Sequence, residues 1–200
     1  MILLRHHLIL VRHGESTWNA EERLQGQLDP PLSERGREQA RALTAMLDGI
    51  PDDRVICSDL ARARETADLL GLRPARLDPR WREIDVGSWA GRTAAEIDAQ
   101  ATELTNWRGG PRRAPDGEPW EAFAERVSAA ADELVREGGP WVVISHGGCI
   151  RVVTAHLTGA DALRLGSPPN ASATVFETGG RARLLAYGAL PDGGLPTGLY

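Results

Sequence analysis

Three short, unbroken apolar runs stand out from longer amphipathic stretches along the chain: Leu8-Ile9-Leu10-Val11, Val55-Ile56-Cys57 and Trp141-Val142-Val143-Ile144. Runs of this length without polar alternation predict strands covered on both faces. Ser33 caps a helix whose apolar face is Ala40, Leu43, Ala45, Met46 and Leu47 and which Gly49 closes. Ser58 or Asp59 caps a second helix over 60–70, ended by Gly71. Thr93 and Glu96 form the capping-box pattern of a helix over 93–104. Phe123, Val127, Ala130, Ala131, Leu134 and Val135 share one face of a helix over 119–136, and another helix covers 149–157. A further short strand is expected over 76–78. Segments 174–177 and 182–187 flank Gly179-Gly180 as a hairpin. Alternating strands and helices predict an α/β fold with a parallel sheet and right-handed crossovers. Two stretches break the pattern: a polar loop over 20–31 ending Asp29-Pro30-Pro31, and an irregular excursion over 106–119 rich in Gly, Pro and Arg. The expected organisation is one domain over 1–190 and a loose tail over 191–200.

Composition narrows this picture without changing it. A chain of 200 residues at 42% hydrophobic content can bury a full core. A net charge of −5 argues against a general nucleic-acid partner. No run of about 18 apolar residues exists to span a membrane. Arg5, His6 and His7 precede a short apolar run, but Arg-His-Gly-Glu follows it instead of a small-residue cleavage site, so no signal peptide is expected. Cys57 and Cys149 form no CxxC pair and read as free thiols of a cytoplasmic protein. All 23 basic residues are Arg.

Chemistry gathers at the ends of the three apolar runs. Arg12-His13-Gly14 follows the first, Ser58 to Arg62 the second, and His146-Gly147-Gly148 the third. In a parallel sheet these ends open on one edge, so two imidazoles and two guanidiniums converge. Such a cluster repels itself unless an anion fills it. The planar arginine fork suits phosphate oxygens. The glycines admit backbone N–H groups to a ligand, and a helix N-terminus after Gly148 adds positive potential. An imidazole attacks only when neutral, and nearby guanidiniums are expected to hold the His13 pKa down. Ser58 lacks the surroundings of a serine nucleophile, and Cys149 reads as a packing residue.

The segments "LVRHGES-WN", "SDLARARETA", "REIDVGSWAG" and "VISHGG" occur in this order and spacing, and together they resemble the histidine phosphatase superfamily, the branch that includes cofactor-dependent phosphoglycerate mutases and many small phosphatases. The resemblance implies a three-layer α/β/α sandwich with a mostly parallel mixed sheet, no metal and no cofactor. It makes His13 the nucleophile, Arg12 and Arg62 the phosphoryl clamp, and His146 a second contact to the phosphate and transition state. Glu83 becomes the acid for the leaving alkoxide. Asn19 and the Gly147 backbone become further phosphate contacts. Substrate choice falls to Gln25 in the first loop and to Trp107, Arg112 and Arg113 in the excursion. The interval between Glu83 and His146 is short for a mutase, and a shorter cover admits water, which favours phosphatase activity. Arg112-Arg113 resembles the arginine pair that mutases place on a substrate carboxylate, so mutase activity is the alternative. "LQGQLD" and "WRGGP…PDGE" are similar to segments of actinobacterial phosphatases of sugar-linked phosphoglycerates. The implied reaction is metal-independent hydrolysis of a small phosphorylated metabolite, with a non-catalytic phosphate-binding module as the remaining reading. No nucleic acid or membrane partner is implied, and a homodimer is left open.

Overall fold

The computed structural model describes residues 6–47, 49–100, 114 and 116–191. Strands β1 (His7–Arg12), β2 (Val55–Cys57), β3 (Arg76–Leu77), β4 (Trp141–Ser145), β5 (Ala173–Glu177) and β6 (Arg183–Ala189) form one sheet in the order β3-β2-β4-β1-β5-β6. The first four run parallel, while β5 and β6 are antiparallel, so the sheet is mixed. β4 lies between β1 and β2, pairing Leu10 with Val143 on one side and Ile56 with the same residue on the other.

Alternation along β1 splits the core in two. Leu8 and Leu10 join Phe123, Val127, Leu134, Ile150 and Val153 beneath helices α5 (Trp120–Glu137) and α6 (Gly147–Thr158). Ile9 and Val11 join Leu43, Ala63, Ala67 and Leu70 beneath α2 (Glu34–Leu43) and α3 (Ala61–Leu69). Because side chains on successive strand residues point to opposite faces, an unbroken apolar strand needs a helical layer on each side. The three-layer α/β/α sandwich follows from that.

The layering also locates a crevice. β1 leads to α2 on one face, and its neighbour β4 leads to α6 on the other. Their carboxyl ends therefore diverge, which is where open α/β sheets bind ligands.

Several local expectations are corrected. The region after Ser16 begins with a helical turn, α1 (Thr17–Ala20), capped by Ser16 in a capping box with Asn19. α2 ends at Leu43 and tightens into a 3-10 turn (Thr44–Met46), well before Gly49. No side chain of Ser58 or Asp59 caps α3 in the ordinary way. Asp29, from the first loop, accepts the Ala61 N–H at 2.7 Å instead. Pro119 stands at the N-cap of α5, one place before its first turn. Thr93 and Glu96 exchange the two expected hydrogen bonds at the start of α4 (Ala94–Gln100). Among the described residues no helix is long and apolar enough to cross a membrane. Most of the 106–119 excursion, with Trp107, Arg112 and Arg113, lies outside the described residues, as does the tail from residue 192.

Candidate active site

His13 leaves the end of β1 with its backbone N–H on the Ser145 carbonyl, so the strand pairing itself brings it to β4. The Gly14 N–H donates to Thr66 of α3, and a Cβ on Gly14 would lie 2.4 Å from the Gly36 carbonyl oxygen. Only glycine permits that approach of the loop to the first turn of α2. His13 Nδ1 sits 2.7 Å from the Gly14 carbonyl, which can only accept a hydrogen bond and so keeps the ring proton on Nδ1 and leaves Nε2 with its lone pair. Arg62 Nε donates towards Nε2 at 3.3 Å.

The expected residues meet here. The His13 and His146 rings lie 5.2 Å apart, tilted by 59°. Arg62, fully buried on α3, is aimed by bonds to the Leu28 and Gly26 carbonyls, each 2.8 Å. Arg12 is held from the opposite side by the Ser167 hydroxyl and the Pro168 carbonyl. Burial lowers both guanidinium pKa values, that of Arg62 to about 10, and the Glu83 charge opposes the fall at each. At neutral pH both stay cationic, with Glu83 the leading counter-charge.

The histidines respond to this field. Burial first, then Arg62 and Arg12, hold His13 well below its ordinary pKa. Burial first, then Arg62, His13 and Arg12, do the same for His146. The expectation that the guanidiniums depress the nucleophile is met in direction, but burial is the larger cause. Both rings are neutral at pH 7.

His146 follows the last residue of β4 and stands at the N-cap position of α6. Its Nε2 lies 2.9 Å from the Ser58 hydroxyl, and its buried Nδ1 has no partner among the described residues. Arg12 Nε and Gln25 Oε1 are also buried and unpartnered. Three of the six such atoms among the described residues thus belong to the expected site residues, each able to bond a polar ligand. Gly147 opens α6, so its N–H has no acceptor within the helix. A Cβ there would come within 2.7 Å of Ser167 Oγ.

Glu83 reaches the same point from an extended strap. Its Oε2 accepts the Gly148 N–H at 3.0 Å and its Oε1 the Ile84 N–H at 2.9 Å. A Cβ on Gly148 would stand 2.1 Å from Oε1, so glycine is what lets the carboxylate approach the helix end. Asn19 Oδ1 is fixed by the Ser16 N–H and by Asn170 Nδ2, and the residue lines the cavity. Arg12, His13, Arg62, Glu83, Gln25 and Asn19 line one cavity of about 670 Å³.

Two parts of the site escaped the sequence reading. The loop carrying Ser167, Pro168 and Asn170 anchors Arg12 and Asn19, though only its Pro-Pro-Asn run marks it in the sequence. Trp120 and Arg151 line the outer cavity, where the Arg151 guanidinium stands 5.9 Å over the Trp120 ring. They lie on different helices, and their approach is set by α5–α6 packing alone. Among the described residues no group of three or more His, Cys, Asp or Glu is placed to hold a metal ion. Cys57 and Cys149 are buried, and burial raises both thiol pKa values, that of Cys57 to about 12, so neither is a reactive thiolate.

Comparison with known proteins points the same way. Residues 8–188 match the family model for the histidine phosphatase superfamily, branch 1. A glucosyl-3-phosphoglycerate phosphatase of Mycolicibacterium vanbaalenii is 40% identical over 166 residues, covering 76% of this chain and 74% of the relative. A probable phosphoglycerate mutase GpmB of an Enterobacter species is 37% identical over 155 residues, covering 70% and 71%. A mycobacterial glucosyl-3-phosphoglycerate phosphatase solved with VO3 superposes with a TM-score of 0.80 at 35% identity, covering 92% of this chain and 98% of that one.

Proposed function

The chain belongs to branch 1 of the histidine phosphatase superfamily, and from that premise we propose that it hydrolyses the phosphomonoester of a small sugar-linked or glycerate-type metabolite through a phosphohistidine on His13. The observation that carries this reading is the state of His13. One ring nitrogen is committed to the Gly14 carbonyl, and the other meets the buried Arg62 guanidinium in a cavity that the half-buried Arg12 also lines.

His13 Nε2 attacks phosphorus once an incoming phosphoryl oxygen takes over the Arg62 N–H. The phosphate monoanion brings the proton that Glu83 takes up on substrate binding; the P–O bond to the alcohol then breaks, and Glu83 gives that proton to the departing alkoxide. Arg12, Arg62 and the Nδ1–H of His146 take the charge that spreads over the equatorial oxygens. Arg12 Nε and His146 Nδ1, otherwise unpartnered, each gain an acceptor in this state. The Asn19 amide and the Gly147 N–H add further donors. Water then attacks the phosphohistidine, Glu83 accepts its proton, and the P–N bond breaks to release phosphate. Every step uses side chains of this chain and none routes through a metal.

The substrate class is supported by the relatives' names and by the cavity. Its lining offers Arg12 and Arg62 to a phosphoryl group, Trp89 and Trp120 to a sugar ring and Arg151 to an acid group, with Asp85, Glu118 and Glu121 also on its wall. Phosphate release is measured with p-nitrophenyl phosphate and with a panel of phosphorylated metabolites that includes glucosyl-3-phosphoglycerate and 3-phosphoglycerate. Turnover is expected to persist in EDTA, to stop with vanadate and to fall by about 10²-fold or more in His13→Ala. Full turnover by His13→Ala overturns the mechanism. Isomer formation from 3-phosphoglycerate in excess of phosphate release supports the mutase instead.

A further inference from the structure

Glu83 is aimed by its main chain, and that main chain is gripped by one guanidinium. The strap from Asp78 to Val86 forms no strand, so its carbonyls find their partners one at a time: a 3-10 turn closes on those of Asp78 and Pro79, Ser145 Oγ donates to that of Trp81, and the Glu118 N–H donates to that of Asp85. Arg126, in the middle of α5, gathers three of them. Its Nη1 donates to the carbonyls of Arg80 and Arg82, both at 2.8 Å, and its Nη2 to the carbonyl of Glu83 at 3.1 Å. Nε and Nη2 also bind the two oxygens of Glu118, at 2.7 and 2.8 Å. The guanidinium stands 4.8 Å over the Phe123 ring, which is itself fully buried.

This arrangement exceeds what the fold needs of an ion pair. The Glu118 carboxylate orients the fork, the aromatic ring fixes its plane, and the remaining N–H groups reach three carbonyls at once. A planar fork with five donors can do this, and an ammonium cannot. The strap has other tethers, Arg82 to Asp59 and Arg80 to Asp78 and Glu133, but they join side chains and leave the Glu83 main chain untouched. Gln27 Nε2 also donates to the Glu83 carbonyl, at 3.3 Å, and Cys149 Sγ to that of Arg82, at 3.2 Å, but among the described residues only Arg126 binds both carbonyls together. With the Gly148 N–H on its carboxylate, Glu83 is thus suspended between α5 at its backbone and α6 at its tip.

We propose that Arg126 is a positioning residue for proton transfer by Glu83: it fixes the main chain from which the acid reaches the leaving oxygen, and it acts on the reaction only through Glu83. The proposal rests on Glu83 being the general acid of the preceding section. Its signature is dependence on the leaving group. A nitrophenolate departs without a proton, whereas an alkoxide requires one, and kcat/KM reports phosphoryl transfer to His13 separately from the later hydrolysis.

The test measures kcat/KM of the full chain with p-nitrophenyl phosphate, phenyl phosphate and β-glycerophosphate, alongside thermal melts. In Arg126→Met the β-glycerophosphate value is expected to fall about 10-fold or more, and the p-nitrophenyl value by no more than about 3-fold. Glu83→Gln should show the same grading with larger losses, and Arg126→Lys an intermediate one. Equal losses across the series in Arg126→Met, or none, overturn the proposal while a graded Glu83→Gln leaves the acid in place. An ungraded Glu83→Gln overturns the acid assignment and this proposal with it. Should Arg126→Met fail to fold, Arg126→Lys decides by the same comparison.

Discussion

Single atoms carry the chemistry of this site, and their partners decide which nitrogen does what. Ser58 illustrates this. It is wholly buried, accepts weakly from the Leu60 N–H at 3.4 Å and faces His146 Nε2 at 2.9 Å. The proposed mechanism requires the Ser58 hydroxyl to donate to Nε2, so that His146 keeps its own proton on Nδ1, the nitrogen without a partner among the described residues. In that arrangement the serine sets a tautomer without touching the substrate. Ser58→Ala is expected to lower kcat/KM about 10-fold, the worth of one buried hydrogen bond. Nitrogen NMR of His146 should show a mixed tautomer in the variant. An unchanged tautomer and rate would remove Ser58 from this role. The motif around Ser58 placed it at the site, but its function depends on the His146 ring beside it, a contact between residues far apart in the chain.

At the scale of elements, the site is held by close contacts between loops and helix ends. The turn after His13 lies on the first turn of α2 with almost no space between backbones. A Cβ on Gly36 would stand 1.9 Å from the Glu15 carbonyl oxygen, and backbone cannot move aside as a side chain can. Gly36→Ala is therefore expected to destabilise the protein by about 3 kcal/mol or more and to lower phosphatase activity with it. Urea unfolding followed by circular dichroism measures the first, and a variant as stable as the parent would contradict the packing. Helix ends show how far local pattern reaches. Ser33 caps α2 and Thr93 caps α4 as the residues next to them indicate. The cap of α3 comes instead from Asp29, which also lies 3.6 Å from Arg62. A rule built on neighbours in sequence selects Ser58 or Asp59 there, because it has no means of seeing a loop folded over the helix end. The same applies to α1, a single helical turn with no buried residue and therefore no apolar face to detect.

The whole molecule couples the site to stability through its two buried histidines. Both have folded-state pKa values depressed below 6.5. The unfolded chain takes up protons below 6.5 that the folded protein refuses. The stability from keeping them neutral is thus complete above pH 6.5 and is lost as pH falls from there towards the folded-state values. Each histidine steepens the loss by about 1.4 kcal/mol per pH unit within that window. Denaturation midpoints between pH 7.5 and 5 should fall accordingly, and a flat profile would show that the rings are not held neutral. Catalysis follows the same sign: the acid limb of kcat/KM, corrected for ionisation of the substrate, should lie below pH 6.5.

Much of this protein was determined by sequence alone. Short apolar runs with no polar alternation, bounded by turn residues, fit strands buried on both faces better than helices, so the layered α/β fold was legible, as were the three strand ends that lead to Arg12, His13, Arg62 and His146. The family motifs added Glu83 and Asn19. Tertiary structure decided the rest. It set which helix end Asp29 caps, which loop anchors Arg12, which carbonyls Arg126 gathers, and where Trp120 meets Arg151. Periodicity records the face a residue presents, a property of its own segment. These contacts join segments whose separation in the chain carries no information about their distance in space, so only the completed packing could bring them together.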